Sequence, residues 1–342
     1  MRPGFPSLAL ILALACSVMG AQIKKFSEPL GDKLDRALET SKLIQSGARP
    51  FHLRMEIKQT SGPSGNYNAV VEETWISQTL WTRTVSAEGL LQTIVVNKSG
   101  THYVTSGDYF PNWLREFVTG ITDPVPNAAE WDKLQPRINY VEMNGKVITD
   151  IIMRSEVMLG VPPVQQVNFA DVTFQPDGLV RGSMVPGDTV GFGDYKPFGK
   201  LRVARSLSVS VYRHVELEGT VVALDEVKKP DLNLFSTPPN ATDTDPLAHA
   251  NVSSTVMMKL AVGTLHLNWP AAIPGNGMFT VWVNLDNTGK VREVGTLNSD
   301  LSGFAADMTA QFLGQQWIAP ILSKVPVQAS GPIVVAYPPA HP

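Results

Sequence analysis

Cysteine is almost absent: Cys16 is the sole one in 342 residues. A chain with one thiol closes no internal disulfide and builds neither a paired-thiol redox centre nor a thiolate zinc site. Core burial must hold it together instead. Charge of one sign is also lacking, since 28 Lys and Arg against 31 Asp and Glu leave a formal −3. No basic field exists to gather phosphates, so nucleic acid is excluded as a partner. Gly-x-x-x-x-Gly-Lys-Ser/Thr, Gly-x-Gly-x-x-Gly, Gly-x-Ser-x-Gly and His-Glu-x-x-His are all missing. The histidines, His52, His102, His214, His249, His266 and His341, lie apart, with no i, i+4 pair to set two imidazoles on one helical face. Glu72 and Glu73 are adjacent, so a strand sends them to opposite faces. We therefore expect no catalytic residue, no metal ligand and no cofactor.

Long hydrophobic runs are scarce too. After Arg2, Leu8-Ala9-Leu10-Ile11-Leu12-Ala13-Leu14-Ala15 is too short to cross a bilayer comfortably, and small residues follow at Val18 and Gly20. This order reads as an export signal over residues 1–21, cut after Gly20 or Ala21. Cys16 falls inside it; the alternative reading makes Cys16 the lipidated first residue of a bacterial lipoprotein. A mature chain without disulfides favours a bacterial periplasm.

What is present is strand upon strand. Phe51, Leu53, Met55 and Ile57 alternate with His52, Arg54, Glu56 and Lys58, the period of a half-buried strand. Strand-like runs bounded by Gly, Asn or Ser recur at 69–77, 80–86, 90–97, 101–105, 140–143, 146–153, 164–174, 179–185, 200–211 and 215–225. A helix with Leu30, Leu34, Ala37, Leu38 and Ile44 on one face is expected to precede them over 29–46, with Gly47 as its stop. Pro111 starts a second helix that carries Trp113, Leu114, Phe117, Val118 and Ile121 as a stripe. Residues 230–246, with Pro238-Pro239 and the polar stretch 240–245, read as a linker in which Asp243 and Asp245 are solvated charges. Beyond it, Phe279, Val281, Val283 and Leu285 alternate with Thr280, Trp282 and Asn284. Asp286-Asn287-Thr288-Gly289 then makes a hairpin turn, and a strand, a helix and a final strand complete the chain.

Gly277, the 279–285 strand, Asn287-Thr288-Gly289-Lys290-Val291, the 305–317 helix and Trp317-Ile318-Ala319-Pro320 together resemble the C-terminal domain of TonB-type envelope proteins. The Tyr-Pro pair that opens that domain stands here as Trp269-Pro270. The first part, with Trp81 and Arg83 in a paired strand, the Asp177-Gly178-Leu179 turn, Asp194-Tyr195-Lys196-Pro197-Phe198-Gly199 and Leu234-Phe235, resembles LolA-like lipoprotein-sorting half-barrels. The resemblances imply an α+β chain: signal peptide 1–21, an antiparallel half-barrel with covering helices at 22–229, a linker at 230–252, and a small strand-strand-helix-strand domain at 253–340.

They also imply a non-catalytic cell-envelope binding protein. Its first module would carry a lipid or lipoprotein acyl chain, with Trp75, Trp81, Trp113 and Phe117 as cavity candidates; the same side chains would equally fill an ordinary core. Its second module would grip an envelope protein partner by strand addition along Ile333, Val334, Val335, Ala336 and Tyr337. The alternatives are a TonB-type energy transducer, whose spacer at 230–246 would reach only about 50 Å even if extended, and an envelope hydrolase with a diffuse site. Intact-mass analysis of the chain recovered from a bacterial envelope separates the first two. A carrier is expected to have lost its leader, whereas a retained segment 8–18 in the inner membrane favours the transducer.

Overall fold

The computed structural model describes residues 36–337, except 38, 62–66, 125–136, 144–145, 158–164, 176, 186–187, 213–214, 262–264, 271–276 and 298–302. The leader, Cys16 and the first half of the leading helix lie outside the described residues. Of that helix, residues 36, 37 and 39–41 are helical, and the turns that follow bring the Leu43 N–H onto the Thr122 carbonyl. It therefore stops well before Gly47.

The strands are β1 (Phe51–Ser61), β2 (Asn68–Ser77), β3 (Leu80–Ala87), β4 (Leu90–Asn97), β5 (Gly100–Ser106), β6 (Arg137–Met143), β7 (Lys146–Val157), β8 (Gln165–Phe174), β9 (Val180–Val185), β10 (Asp188–Gly193), β11 (Lys196–Phe198), β12 (Leu201–Val203), β13 (Ser206–Val211) and β14 (Val215–Glu226). All but β11 and β12, which pair with each other, join one twelve-stranded sheet in the order β5-β4-β3-β2-β1-β14-β13-β10-β9-β8-β7-β6. Every pairing in it is antiparallel.

Strand β10 was not among the strand-like runs read from the sequence. A Cβ at its Gly191 or Gly193 would come within 2.6 Å of Ser208 Oγ or 2.8 Å of Ser206 Oγ on the neighbouring strand, hydroxyls that can turn aside. The run expected as one strand over 200–211 breaks at Ala204 and Arg205 into β12 and β13.

This order has a topological consequence. Strands β5 and β6 follow one another in the chain but form the two opposite edges of the sheet. At about 4.8 Å per strand spacing the edges lie roughly 50 Å apart, so the connection must run across one face. Helix α1 (Asn112–Gly120) lies on that path. Its Trp113, Leu114, Phe117 and Val118 are buried in one cluster with Phe51, Leu53, Met55 and Ile57 of β1, Ala69, Val71 and Trp75 of β2, and Leu207, Val209 and Leu217 from β13 and β14. We call the face that α1 covers the inner face.

Residues 231–245 leave β14 and cross to the other side. A 3-10 turn, Leu232–Phe235, presents the Phe235 carbonyl to Asn97 Nδ2 at 2.9 Å, and Tyr103 of edge strand β5 exchanges both backbone hydrogen bonds with Thr242, at 2.8 and 2.9 Å. The linker is pinned, and it satisfies the edge amide and carbonyl at Tyr103.

The second module has β15 (His249–Asn251), α2 (Ser254–Leu260), β16 (Gly277–Leu285), β17 (Val291–Thr296), α3 (Ala305–Ala310), β18 (Ile321–Leu322), β19 (Val325–Pro326) and β20 (Gln328–Tyr337). Its main sheet runs β15-β20-β16-β17, with β15 parallel to β20. Phe279, Val281, Val283 and Leu285 face Met257, Met308, Phe312 and Trp317 in a second core. The helix expected to continue to residue 317 ends at Ala310; Gly314 takes φ +78°, and the chain turns back so that the Trp317 N–H donates to Gly289 O at 2.8 Å. Strand β16 was expected to keep one wet face. Instead Thr280, Trp282 and Asn284 are buried too, and Asn284 Nδ2 donates to Tyr212 Oη of the first module at 3.1 Å. The second face is covered by the first module.

At Gly219 of β14, a Cβ would lie 2.7 Å from the Phe117 ring and 3.0 Å from Met55 Sδ, so α1 sits flush on bare backbone. Gly219→Ala is expected to lower stability by about 1–3 kcal/mol, read from the shift in denaturation midpoint. An unchanged midpoint would show that Phe117 is not seated there.

Candidate functional site

The structure gathers three of the four cavity candidates beneath or within α1. Trp75 is 4%, Trp113 5% and Phe117 0% exposed. Trp75 stacks on Phe51 at 5.7 Å between centroids, and Trp113 meets Phe117 edge-on at 6.4 Å. Trp81 is only partly buried. It packs at the margin of the same cluster, where Arg83 lies over its ring and donates from Nε to Glu73 Oε2 at 2.7 Å. Glu72, on the opposite face as its neighbour's parity requires, meets His52 at 3.0 Å and Arg54 at 3.3 Å. The inner face is thus apolar along its middle, ends at a buried ion pair, and is occupied by the protein's own helix.

That helix is weakly held by its own chain. No side chain caps its start, and its first turn carries no acidic residue to meet the helix dipole. It is held instead from behind. Arg115 Nη2 donates to the Leu247 carbonyl in the linker at 2.9 Å and to Gln328 Oε1 of the second module at 2.6 Å, while its guanidinium lies 4.5 Å from the Phe110 ring centre. Burial lowers the Arg115 pKa to about 10. Nearby, Arg292 of β17 bridges Asp286 Oδ2, at 2.6 Å, to Asp108. Gly295 leaves room for the Tyr212 ring, which sits where its Cβ would be.

Around Arg115 lies an excess of acid. Burial pushes Glu116 up to about 7, against partial relief from Arg115. Burial raises Glu293 to about 6, opposed by a 2.7 Å hydrogen bond from Asn284 Nδ2. Asp188 is pushed well above the usual range by burial and by the charges of Glu293 and Glu116. The Tyr109 hydroxyl faces Glu293 outside ordinary hydrogen-bonding geometry, and Arg115 Nε, Asn284 Oδ1 and Gln328 Nε2 have no hydrogen-bond partner among the described residues. His249, driven down to about 3 by burial and by Arg115, stays neutral beside Ser330 Oγ at 2.7 Å. The seam between the modules is therefore polar and incompletely satisfied, unlike either core.

The partner-strand candidates Ile333, Val334, Val335, Ala336 and Tyr337 lie in β20, which pairs with β16 from Ala329 to Tyr337. On its other side β20 meets β15 only at Gln328, Ala329 and Ser330. From Gly331 onward that second edge has no strand partner among the described residues. Ile333 is itself fully buried in the second core.

Sequence reasoning missed the seam altogether. Asp245, read as solvated, accepts from Gln92 Nε2 and the Leu247 N–H, each at 2.9 Å, whereas Asp243 is exposed as expected, with its Oδ1 2.9 Å from His102 Nδ1. Nothing in the local pattern marks contacts spanning 141 or 153 residues. Arg115 and Glu116, charged residues beside the apolar stripe of a helix, were the one available signal.

No family model matches the chain, and no curated protein matches it in sequence. Three similar solved structures are a DUF1329 family protein from Desulfovibrio piger (7% identity, 61% of this chain and 97% of that one, TM-score 0.36), a putative outer membrane lipoprotein-sorting protein domain from Vibrio parahaemolyticus (11%, 60% and 93%, 0.29), and a LolA superfamily protein from Nitrosomonas europaea (9%, 59% and 97%, 0.34). Values this low leave the reading of the site to the chain's own geometry.

The raised carboxyls make stability depend on pH. Each binds its proton more tightly in the folded chain than in the unfolded one. The stabilisation is complete below the ordinary carboxylate range and is lost as pH rises through about 6 for Glu293 and about 7 for Glu116. Glu116→Gln is expected to flatten stability between pH 5 and 8 and to exceed wild type by about 1–3 kcal/mol at pH 8. Parallel pH profiles in denaturant titrations would contradict the assignment.

Proposed function

We propose that this chain is a bacterial cell-envelope carrier of apolar ligands, a lipid or an acyl chain, with the inner face of the large sheet as its binding surface and α1 as a plug. One observation carries the reading. A broad apolar sheet face is covered in its middle by a nine-residue helix that has no side-chain cap at its start and is latched through Arg115.

Energetics allow the exchange. Five apolar side chains of the stripe, Trp113, Leu114, Phe117, Val118 and Ile121, are worth roughly 2 kcal/mol each, about 10 kcal/mol in all. An acyl chain of about 15 methylenes buried at about 0.8 kcal/mol each recovers about 12 kcal/mol. The two sums are of one size, so an acyl chain can take the place of the helix without a motif of its own. Such a site leaves little trace in the sequence.

The second module is the latch, and we assign it the partner-binding role. A protein that adds a strand beside β20 from Gly331 onward would act on the element that presents Gln328 to Arg115. Partner capture and plug release would then share one strand. The TonB-like reading of this module belongs to the same proposal.

Native mass spectrometry of protein recovered without detergent is expected to show a bound lipid mass; a clean unliganded mass argues against the carrier. Because the competent form is a minor one, Arg115→Ala should tighten apparent affinity for a fluorescent fatty-acid analogue about threefold or more. An unchanged or weaker affinity would show that Arg115 is no latch.

A further inference from the structure

The outer face brings three residues together that the carrier reading does not use. In the β4–β5 hairpin the Ser99 N–H donates to Asn97 Oδ1 at 2.8 Å, which sets Ser99 Oγ 2.8 Å from His102 Nε2. His102 is 7% exposed, and its other nitrogen, Nδ1, lies 2.9 Å from Asp243 Oδ1. Asp243 is brought there by the paired backbone of Tyr103 and Thr242. An ionised carboxylate only accepts, so Nδ1 carries the proton, Nε2 presents a lone pair, and the Ser99 hydroxyl can donate to it. Asn97 Oδ1, at 2.6 Å, is the competing acceptor for that hydroxyl.

We propose that Ser99, His102 and Asp243 form an acyl-transfer site in which Ser99 is the nucleophile, His102 the general base and Asp243 the residue that positions the imidazole. Ser99 and Asp243 line a cleft of about 470 Å³ between the first module and the β18–β19 hairpin, together with Tyr103, Ala248, Leu322 and Val325, while His102 lies buried behind them. This is room for a small substrate. The acidic residues on the cleft wall, Asp243 and Asp245, disfavour anions. The fitting substrate class is a neutral ester with a short acyl group.

The step balances without any further reagent than water. Ser99 Oγ adds to the ester carbonyl carbon while its proton passes to His102 Nε2. Collapse breaks the carbonyl carbon–alkoxy oxygen bond, and the alkoxide leaves as the alcohol with that proton. Water then attacks the acyl-serine and gives a proton to Nε2, which returns it to Ser99 Oγ as the carboxylic acid departs. Ester and water become acid and alcohol.

The cleft lies at the β5 edge and shares Asp245 with the seam, but the proposed chemistry uses neither α1 nor the inner face, so it is tested separately from the carrier. The full-length folded chain, incubated with a fluorophosphonate probe and mapped by peptide mass, is expected to carry one adduct, on Ser99. Hydrolysis of p-nitrophenyl butyrate should fall at least a hundredfold in Ser99→Ala and in His102→Ala. Asp243→Asn should lower kcat about tenfold and leave KM unchanged, a split that mere loosening of the linker would not give. Ser99 is an exposed turn residue, so Ser99→Ala decides the matter even if His102→Ala fails to fold. No adduct on Ser99, or turnover equal to wild type in Ser99→Ala, would overturn the proposal.

Discussion

Consecutive strands at opposite edges of one sheet force the chain across the sheet's face. Strands β5 and β6 stand at the two edges of twelve strands, and the apolar residues of the described part of their connection are buried against the inner face. Helix α1 is the result. Trp113 and Phe117 are in the core because the topology sends them there, and Gly219 is glycine because Phe117 lands on its backbone. The residues that would line a ligand site are therefore the same ones that close it.

A nine-residue helix with no side-chain cap at its start is marginal alone, since nucleation costs more than so few hydrogen bonds return. The second module supplies what is missing. Its β20 presents Gln328, and the turn before β15 presents the Leu247 carbonyl, to a single guanidinium that emerges from α1. Each module has its own apolar core, but the seam between them is built of Tyr109, Arg115, Glu116, Asp188, Asn284 and Glu293. Removing water from such groups costs several kcal/mol unless they are paired, and here acids outnumber the cation. A seam of this composition is held less firmly than either core.

Much of the fold was written in local pattern. Alternation over β1 and between Phe279 and Leu285 marks strands with one committed core face, and the stripe from Trp113 to Ile121 marks a helix. The turn at Asp286 also behaves as its residues dictate. Its Oδ1 accepts from the Thr288 and Lys290 amides, and although burial pushes its carboxyl up, these bonds and Arg292 hold it below the usual range. What escaped were features set by distant neighbours. Strand β10 escaped because Gly191 and Gly193 interrupt its alternation and its pairing partner β13 lies further along the chain. Thr280, Trp282 and Asn284 looked wet because the surface that covers them comes from the other module. His102 and Asp243 looked unrelated because 141 residues separate them.

The claim that most depends on all this is that α1 and a ligand compete for one apolar face. Hydrogen exchange of the α1 amides, residues 112–120, with and without a saturating long-chain fatty acid, tests it most directly. The account predicts that the ligand speeds exchange throughout α1 while the amides of β1 and β14 beneath it stay protected. Protection of α1 that is unchanged or strengthened by bound ligand would contradict it.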